Sequence, residues 1–510
     1  MLAKVGSAAV VGIHGQRIVV EVDIANGLPS FSVVGLPDAA VREAGDRVRA
    51  AIKNSGFEFP IKRITVNLAP ADTKKEGSGF DLPVAVGILA ASGQIHTMDL
   101  EFTGIIGELS LDGTVRAVHG MLPMASALAE DEVPQAIIPI ENSQEAALVR
   151  DLSVCAVGSL REVVDYLNGE REISPTVSPV DELLNQYEIY GEDFCDVKGQ
   201  AYAKRAIEIA AAGGHNILMI GPPGSGKTML ARRIPSVLPP LSFPEALEVT
   251  KIYSVAGLLP DKKSLITARP FRSPHHTISN IGLIGGGRIP HPGEVSLAHN
   301  GILFLDELPE FQRNVLEVLR QPLEDGTVNI ARAQATLDYP AKFMLVAALN
   351  PCPCGFFGDN DRDCTCTGPQ IQRYLHKISG PLLDRIDIHV EVPRTNIKDL
   401  ENESSAEPSL QIKERVKQTR QMQLDRFALE GIFCNSQMQS RHLKAYCKVG
   451  SEAKRLMRDA FERLGLSARA HDRILKVART IADLANESTI QTQHVAEAIQ
   501  YRTLDRKLWA

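Results

Sequence analysis

The sequence predicts an α/β fold, because three patterns in the chain of 510 residues are typical of alternating strands and helices. A glycine-rich loop at 221–228 stands between an apolar strand-like stretch, His215–Ile220, and a helix-like stretch. A second apolar run, Ile302–Leu305, ends in two adjacent carboxylates. Upstream of both, the chain alternates between the period-two pattern of strands and the wider spacing of helices.

The glycine-rich loop has the composition of a phosphate-binding loop: Gly221, Pro222, Pro223, Gly224, Ser225, Gly226, Lys227 and Thr228. Its glycines let backbone N–H groups converge on phosphate oxygens, and the helix that follows directs its positive end at the same anion. Lys227 is expected to contact the β- and γ-phosphates, and the Thr228 hydroxyl to ligate Mg²⁺. Asp306 would hold the Mg²⁺ shell and Glu307 would polarise the attacking water. The sequence therefore predicts an ATPase that uses Mg²⁺.

Composition favours globular domains in the cytoplasm. Hydrophobic residues make up 44% of the chain and the net charge is −7. No apolar run reaches the ~18–20 residues of a membrane span, and the N-terminus lacks the pattern of a signal peptide. The charge is uneven, with eleven basic and four acidic residues from Arg441 to Arg479. This asymmetry permits a local nucleic-acid-facing surface, although simply solvated basic helices are the more common explanation.

The chain is predicted to contain three domains. They are an N-terminal domain at 1–168, an ATPase core at 191–395 and a helical domain at 396–510, with an acidic, proline-containing linker at 169–190. In the first domain we expect strands at Arg17–Ile24, Phe31–Val34 and Ile64–Leu68, and helices at Ala39–Ser55 and Leu82–Ala91.

The core resembles the AAA+ superfamily, and within it the branch of magnesium-chelatase ATPase subunits and MCM replicative helicases. The matching segments are Asp196–Gln200 with Ala203–Ala206, the strand Phe343–Leu349 with Asn350, Leu382–Ile388, and Leu466–Ala470. The resemblance implies that 196–206 cups the adenine and that Asn350 is sensor 1. It also implies that Arg469 is sensor 2 in a helical lid.

Arg385 matches the arginine finger of that branch, which acts on the ATP of a neighbouring subunit. A finger supplied by a neighbour makes hydrolysis depend on assembly, so the resemblance implies a ring, and a homohexamer in particular. The alternative for Arg385 is a surface ion pair with Asp384 or Asp387.

Two inserted segments carry candidates for contact with a DNA backbone. The first is Arg269–Thr277, with Arg272, His275 and His276, and the second is a hairpin of 325–333 with 335–339, with Arg332 near its tip. In the chelatase and MCM branch such hairpins face the central pore, where cationic side chains could grip phosphates. Such a histidine pair is more often structural, and it could also ligate a metal, although no third ligand is evident nearby in the sequence.

At a narrower level the chain is similar to the bacterial ComM/YifB family over essentially its full length. The resemblance rests on Pro292–Gly301, the N-terminal segment and a cysteine cluster. It implies a ring-forming ATPase that promotes branch migration of recombination intermediates during natural transformation. Branched or single-stranded DNA would occupy the ring pore, and recombination proteins would be partners. The alternatives are a chelatase-type ATPase that remodels a partner protein, and an ATP-gated scaffold that binds DNA without translocating.

The cysteine cluster consists of Cys352, Cys354, Cys364 and Cys366, directly after the sensor 1 strand. Four thiolates can close a tetrahedral, structural Zn²⁺ site, whereas free thiols and a redox role are the alternatives. The remaining cysteines are isolated and expected to pack in cores: Cys155, Cys195, Cys434 and Cys447.

The N-terminal domain resembles the Lon-protease-like, ribosomal-protein-S5-like α+β fold. The likeness is carried by Gly107–Gly120 and Glu76–Pro83. Proteolysis there would need a Ser nucleophile and a Lys base within hydrogen-bond reach. Gly79 stands where the Ser should be and Leu122 where the Lys should be, so we expect a non-catalytic domain for DNA binding or ring stabilisation.

Overall fold

The structure is a computed structural model, and it describes residues 1–71, 75, 77–96, 99–185, 191–260, 263–287, 290–331, 336–359, 361–395, 406–464 and 467–504. The chain forms two compact units. Unit 1 comprises Met1–Tyr187 and Phe243–Thr267, and unit 2 comprises Glu188–Ser242 and Ala268–Ala510. None of the described helices combines the length and the apolar character that a membrane span requires.

The strands, in chain order, are β1 Leu2–Val11, β2 His14–Ala25, β3 Ser30–Val34, β4 Arg63–Ala69, β5 Thr103–Ile105, β6 Glu108–Leu109, β7 Val115–Arg116, β8 Gln135–Pro139, β9 Ser153–Val157, β10 Ile217–Ile220, β11 Phe271–Arg272, β12 Gly285–Gly286, β13 His291–Pro292, β14 Ile302–Leu305, β15 Thr327–Ala331, β16 Thr336–Pro340, β17 Met344–Leu349 and β18 Ile388–Glu391.

The α-helices are α1 Ala39–Asn54, α2 Asp81–Ala91, α3 Met121–Glu130, α4 Ser143–Ala146, α5 Leu160–Leu167, α6 Val180–Asn185, α7 Ala201–Gly213, α8 Lys227–Val237, α9 Phe243–Ala256, α10 Asn280–Ile284, α11 Glu294–Leu297, α12 Arg313–Glu317, α13 Arg320–Asp325, α14 Gly368–Leu375, α15 Gly380–Leu383, α16 Ser409–Arg426, α17 Ser440–Tyr446, α18 Ser451–Leu464, α19 Ala468–Leu484 and α20 Thr492–Gln500.

Unit 1 is built on a mixed sheet of seven strands in the order β3-β4-β2-β1-β5-β8-β9. Strands β1, β2 and β4 pair antiparallel, whereas β5, β8 and β9 extend the sheet in parallel from β1. The helix α2 is buried almost throughout because it is apolar on every side, as in a core helix. The three strands and two helices expected here from the sequence are confirmed.

The helix α9 belongs to unit 1 although its sequence lies inside the predicted ATPase core. The Ser254 hydroxyl on α9 donates to the Glu145 carboxylate, and the Ser254 carbonyl accepts from the Gly120 backbone N–H. Burial raises the pKa of Glu145, against the hydrogen bond from Ser254. This docking, which the sequence pattern did not predict, ties the segment Phe243–Thr267 to the helices α3 and α4 of the N-terminal domain. The helix α6 lies within the stretch expected to be linker.

Unit 2 is built on a parallel sheet of five strands in the order β11-β14-β17-β10-β18. Every residue of β10, β14 and β17 is buried, as expected for parallel strands covered on both faces. The strands predicted before the glycine-rich loop, before Asp306 and before Asn350 are therefore confirmed. Because they run parallel, their carboxyl ends bring these three segments to the same edge of the sheet.

The helices after residue 406 share the core of unit 2 with the sheet. Asp387, just before β18, bonds to Arg473 on α19 and accepts from the Asn216 backbone N–H at 3.1 Å. Despite burial, Arg473 and His215 hold the pKa of Asp387 well below its usual range. The hairpin pairing of β15 with β16 is confirmed, and its tip lies outside the described residues.

Candidate nucleotide-binding site

The glycine-rich loop connects β10 to α8 in a conformation that its glycines permit. Gly224 and Gly226 have φ of +77° and +90°, in the left-handed region that favours glycine. A Cβ on Gly221 would lie closer than 3.0 Å to the Val392 carbonyl oxygen after β18. The loop therefore packs against the neighbouring strand with its backbone, and α8 begins at Lys227 with its N–H groups at the loop.

Lys227 is buried at the centre of the loop. Its ammonium donates to the carbonyl oxygens of Gly221 at 2.7 Å and Pro222 at 3.0 Å, and to Asn350 Oδ1 at 3.2 Å. Burial lowers its pKa to about 8, against the opposing charges of Asp306 and Glu307. The structure thus joins the lysine of the loop to the residue predicted as sensor 1.

Asp306 and Glu307 follow β14 at the same edge of the sheet. Thr228 Oγ1 donates to Asp306 Oδ2 at 2.7 Å, so a hydroxyl and a carboxylate of the kind that Mg²⁺ prefers are adjacent. Glu307 has φ of +51° and its side chain is 57% exposed. Its carboxylate lies 3.8 Å from His276 Nδ1. The carboxylate is thus accessible, with one histidine beside it.

A cavity of ≈ 460 Å³ lies next to the loop that precedes α7. It is lined by residues of the predicted adenine segment and of α16, among them Lys198, Gly199, Lys204, Arg205 and Arg415. Gln200 connects this segment to the sheet edge, because its Nε2 donates to the Pro393 carbonyl at 2.6 Å. The volume falls within the range of small-ligand pockets.

The two arginines predicted to act as finger and sensor meet at a single carboxylate, Glu324, at the end of α13. Arg385 Nη2 pairs with Glu324 Oε1, and Arg469 Nη2 lies 3.7 Å from the same oxygen. The hydrogen bond from Arg385 lowers the pKa of Glu324, and the charge of Arg469 acts in the same direction. Arg385 is 5% exposed, and Asp387 pairs with Arg473 instead. The structure therefore shows Arg385 in an ion pair, but with Glu324 and not with Asp384 or Asp387.

The residues predicted to contact DNA have different partners in the structure. Arg272 forms a bidentate pair with Glu294 at 2.6 and 2.7 Å. His275 bonds to Thr277 Oγ1 at 2.9 Å and its ring lies 4.1 Å from that of His276. Arg332 lies outside the described residues. Contact of these residues with DNA stays a prediction.

The four cysteines after β17 form a cluster in which all four sulfur atoms lie within 4.8 Å of one another. Among the other cysteines, Cys155, Cys434 and Cys447 are buried as expected, whereas Cys195 is partly exposed. The prediction that Cys195 packs in a core is wrong. It lies in the short 3-10 helix that Asp193 caps, and its Sγ is 3.7 Å from Asp196 Oδ1.

Three described positions of unit 1 bear on the protease-like chemistry. Ser78 donates its hydroxyl to the Glu108 carboxylate, Gly79 lies in a 3-10 helix, and Leu122 is fully buried in α3. A carboxylate partner and a buried leucine do not supply the Lys base that this chemistry requires.

Comparison with known proteins identifies the relatives of this chain. It is 45% identical to the competence protein ComM of Haemophilus influenzae over 513 residues, which cover 99% of this chain and 98% of that protein. The chain belongs to the ComM/YifB family of magnesium-chelatase-like proteins. It is also 44% identical to YifB of Salmonella typhimurium, over 99% of this chain and 98% of that protein.

Three family models match successive parts of this ComM/YifB family member. They describe subunit ChlI of magnesium chelatase at residues 20–142, magnesium chelatase subunit ChlI at 193–400, and the ChlI C-terminal region at 406–502. The magnesium-chelatase 38 kDa subunit of Rhodobacter capsulatus is 24% identical over 177 residues, 31% of this chain and 50% of that protein. The chelatase-like resemblance of the core is therefore confirmed.

Sequence reasoning missed Glu324, Glu294 and the proximity of His276 to Glu307. The two glutamates are partners of predicted functional arginines across long stretches of sequence. His276 was expected to face a DNA backbone, and its 3.8 Å distance from Glu307 gives it a second candidate role. No sequence pattern links Glu294 or Glu324 to its arginine, because each pair is brought together only by the fold.

Proposed function

We propose that the protein is an ATP-hydrolysing, hexameric DNA motor that promotes branch migration of homologous-recombination intermediates during natural transformation. The observation that carries ATP hydrolysis is the meeting of Lys227, Thr228, Asp306 and Asn350 at one edge of a parallel sheet. The DNA role is supported by full-length similarity to a protein named for competence.

The chemistry assigns each residue of this edge a task. Lys227 and the loop N–H groups bind the β- and γ-phosphates, and Asn350 orients the terminal phosphate or its attacking water. Thr228 and Asp306 would hold Mg²⁺, which neutralises charge on the β- and γ-oxygens when bound. Glu307 accepts the proton of the attacking water, and its exposure leaves room for that water.

Arg385 and Arg469 supply the remaining positive charge. Both reach Glu324, so they face a common point, and an arginine finger there would be delivered to the nucleotide of an adjoining subunit. A guanidinium delivered in this way stabilises the transition-state charge and is worth ~10³–10⁵ in turnover. Hydrolysis would then require a ring, which fits DNA held in a central pore.

The proposal is tested by ATP turnover with no DNA, with single-stranded DNA and with a four-way junction. We expect the junction to raise turnover several-fold and a labelled junction to be resolved into duplex products only with ATP. Lys227→Ala and Glu307→Gln should each lower both activities at least about 10²-fold. Ser78→Ala is the matched control, since that hydroxyl bonds within unit 1, and it should leave both activities unchanged.

ATP turnover that is indifferent to every DNA would contradict the motor. The chelatase-type alternative, in which ATP hydrolysis remodels a partner protein, is favoured by the ChlI family models. Indifference to DNA would therefore support the chelatase-type function. An ATP-gated scaffold would instead respond to DNA without resolving the junction.

A further inference from the structure

The four-cysteine cluster follows the residue predicted as sensor 1, and its loop packs against the phosphate-binding loop. Cys352 is buried and follows Asn350 by two residues, and the other three cysteines are partly exposed. Cys352 Sγ lies 3.3 Å from Cys354 Sγ and 3.6 Å from Cys364 Sγ, and Cys354 Sγ lies 3.6 Å from Cys364 Sγ. The two cysteine pairs, ten residues apart at Cys354 and Cys364, therefore meet in space.

These separations suit one metal ion. Four thiolates at ~2.3 Å from a tetrahedral Zn²⁺ stand about 3.8 Å from each other, close to the distances between these sulfur atoms. A disulfide needs sulfur atoms at about 2.05 Å, and all four cysteines are free. Soft thiolate ligands in this number select zinc over Mg²⁺, which prefers oxygen.

The loop closed by the cysteines touches the phosphate-binding loop through Gly355. Its φ is +85°, and a Cβ at this position would lie closer than 3.0 Å to Pro223 Cδ. At the start of the loop, Asn350 Oδ1 accepts from the Lys227 ammonium at 3.2 Å. Two contacts therefore connect the cysteine loop with the residues that bind phosphate.

The far side of the cysteine loop is held separately. The guanidinium carbons of Arg362 and Arg394 each lie 5.4 Å from the centre of the Phe356 ring. Arg394 also pairs with Asp359 at 2.9 Å. With this side fixed to the segment after β18, the position of Gly355 depends on how tightly the four sulfur atoms are drawn together.

We propose that Zn²⁺ bound by Cys352, Cys354, Cys364 and Cys366 holds Gly355 against Pro223 and so sets the affinity of the phosphate-binding loop for ATP. The inference rests on the ATP site of the proposed function and is independent of any DNA activity. The ion would thus regulate nucleotide binding at a neighbouring site as well as fold its own loop.

The first test measures zinc content and ATP binding of the full chain without DNA. We expect about one zinc ion per chain by elemental analysis, and loss of that ion in Cys354→Ser and Cys364→Ser. ATP affinity should fall at least about tenfold in both, since small displacements at a phosphate site are costly. Cys434→Ser, a buried cysteine whose Sγ lies 3.2 Å from Ser436 Oγ, is the matched control and should keep zinc and affinity.

A second test separates the metal from the contact that it maintains. Gly355→Ala should keep zinc but weaken ATP binding, because its Cβ meets Pro223. Gly358→Ala is the control within the same loop: its φ of +77° gives similar backbone strain, but its Cβ meets nothing within 4 Å. Equal ATP affinity in the two variants would overturn the proposed contact.

Removal of zinc from the unmodified protein covers the case in which the cysteine variants do not fold. A thiol-compatible chelator should weaken ATP binding, and added Zn²⁺ should restore it. Protein purified under reducing conditions that neither contains nor takes up zinc would overturn the proposal, as would a zinc-free protein with unchanged ATP affinity. A chain that binds ATP in a zinc-dependent way but ignores DNA would contradict only the motor.

Discussion

The phosphate side and the arginine side of unit 2 differ in how they are held. On the phosphate side, Lys227 and Thr228 find their partners within the loop and at the carboxyl ends of β17 and β14. On the arginine side, Arg385 and Arg469 converge on Glu324, which is half exposed. One side is organised by its own sheet, whereas the other ends on a carboxylate near the surface.

From this difference we infer that one chain completes the phosphate half of an ATP site alone, whereas its arginine half serves another site. A carboxylate shared by two arginines imitates the charge of a phosphate. In the isolated chain, Glu324 therefore forms ion pairs with both guanidinium groups. A nucleotide from another subunit would compete with Glu324 for them. The predictions below test whether the two sides behave as halves of different sites.

The largest effect is expected from Arg385→Ala, which should reduce ATP turnover by about 10³-fold or more with little change in ATP binding. In the proposed mechanism the arginine acts on charge that develops in the transition state, and it lies away from the loop proposed to bind ground-state ATP. Steady-state turnover and ATP affinity are measured on the same preparations. Mixing Arg385→Ala with Lys227→Ala subunits should recover activity, since each supplies what the other lacks.

No recovery on mixing would place the arginine in the same site as the lysine of its own chain. If Arg385→Ala lowered ATP affinity as much as turnover, Arg385 would belong to the phosphate side, and the two sides would not be separate. Arg469→Ala, mixed in the same manner, should behave like Arg385→Ala, because both arginines share Glu324.

A smaller effect is expected from Lys227→Ala, which should lower ATP turnover about 10²–10³-fold. The loss should be visible in ATP binding as well, since Lys227 is proposed to contact the phosphates in the ground state. Lys227→Arg keeps the charge and serves as the matched variant, with partial binding expected. Unchanged ATP affinity in Lys227→Ala would contradict the assignment of the loop.

Sequence patterns predicted the phosphate side well and the arginine side only in part. Lys227, Thr228, Asp306 and Asn350 each lie within a few residues of a buried strand, so apolar periodicity fixes their place at one sheet edge. Glu324 is 61 residues from Arg385 in sequence, and no periodic pattern links the two. The docking of α9 on the helices α3 and α4 was missed for the same reason, because it depends on contacts between distant segments.

The pH dependence of ATP binding should report on the phosphate side alone. Burial lowers the pKa of Lys227 to about 8, so the free protein loses this positive charge as the pH rises through that value. Only the charged form attracts phosphate, and affinity should therefore fall by up to about tenfold per pH unit above it. ATP titrations from about pH 6.5 to about pH 9.5 measure this, with Lys227→Arg expected to stay flat. A flat profile for the unmodified protein would contradict the role of the lysine.

The smallest effect is expected for the coupling free energy between Arg385 and Glu324. Glu324 is half exposed, so its pair with the buried arginine should contribute only about 0.5–1 kcal/mol to the free energy of unfolding. A double-mutant cycle of Arg385→Ala and Glu324→Gln, followed by denaturant unfolding, should give a coupling of that size. Arg385→Ala combined with Asp384→Asn is the control and should be additive, because the carboxylate partner of Arg385 is Glu324. Additivity in both cycles would mean that Glu324 does not hold the arginine, and the imitation of a phosphate would fail with it. Coupling in the first cycle alone would instead show that Glu324 stabilises Arg385 in the isolated chain. A nucleotide bound by a neighbouring subunit is proposed to replace Glu324 as the partner of this arginine.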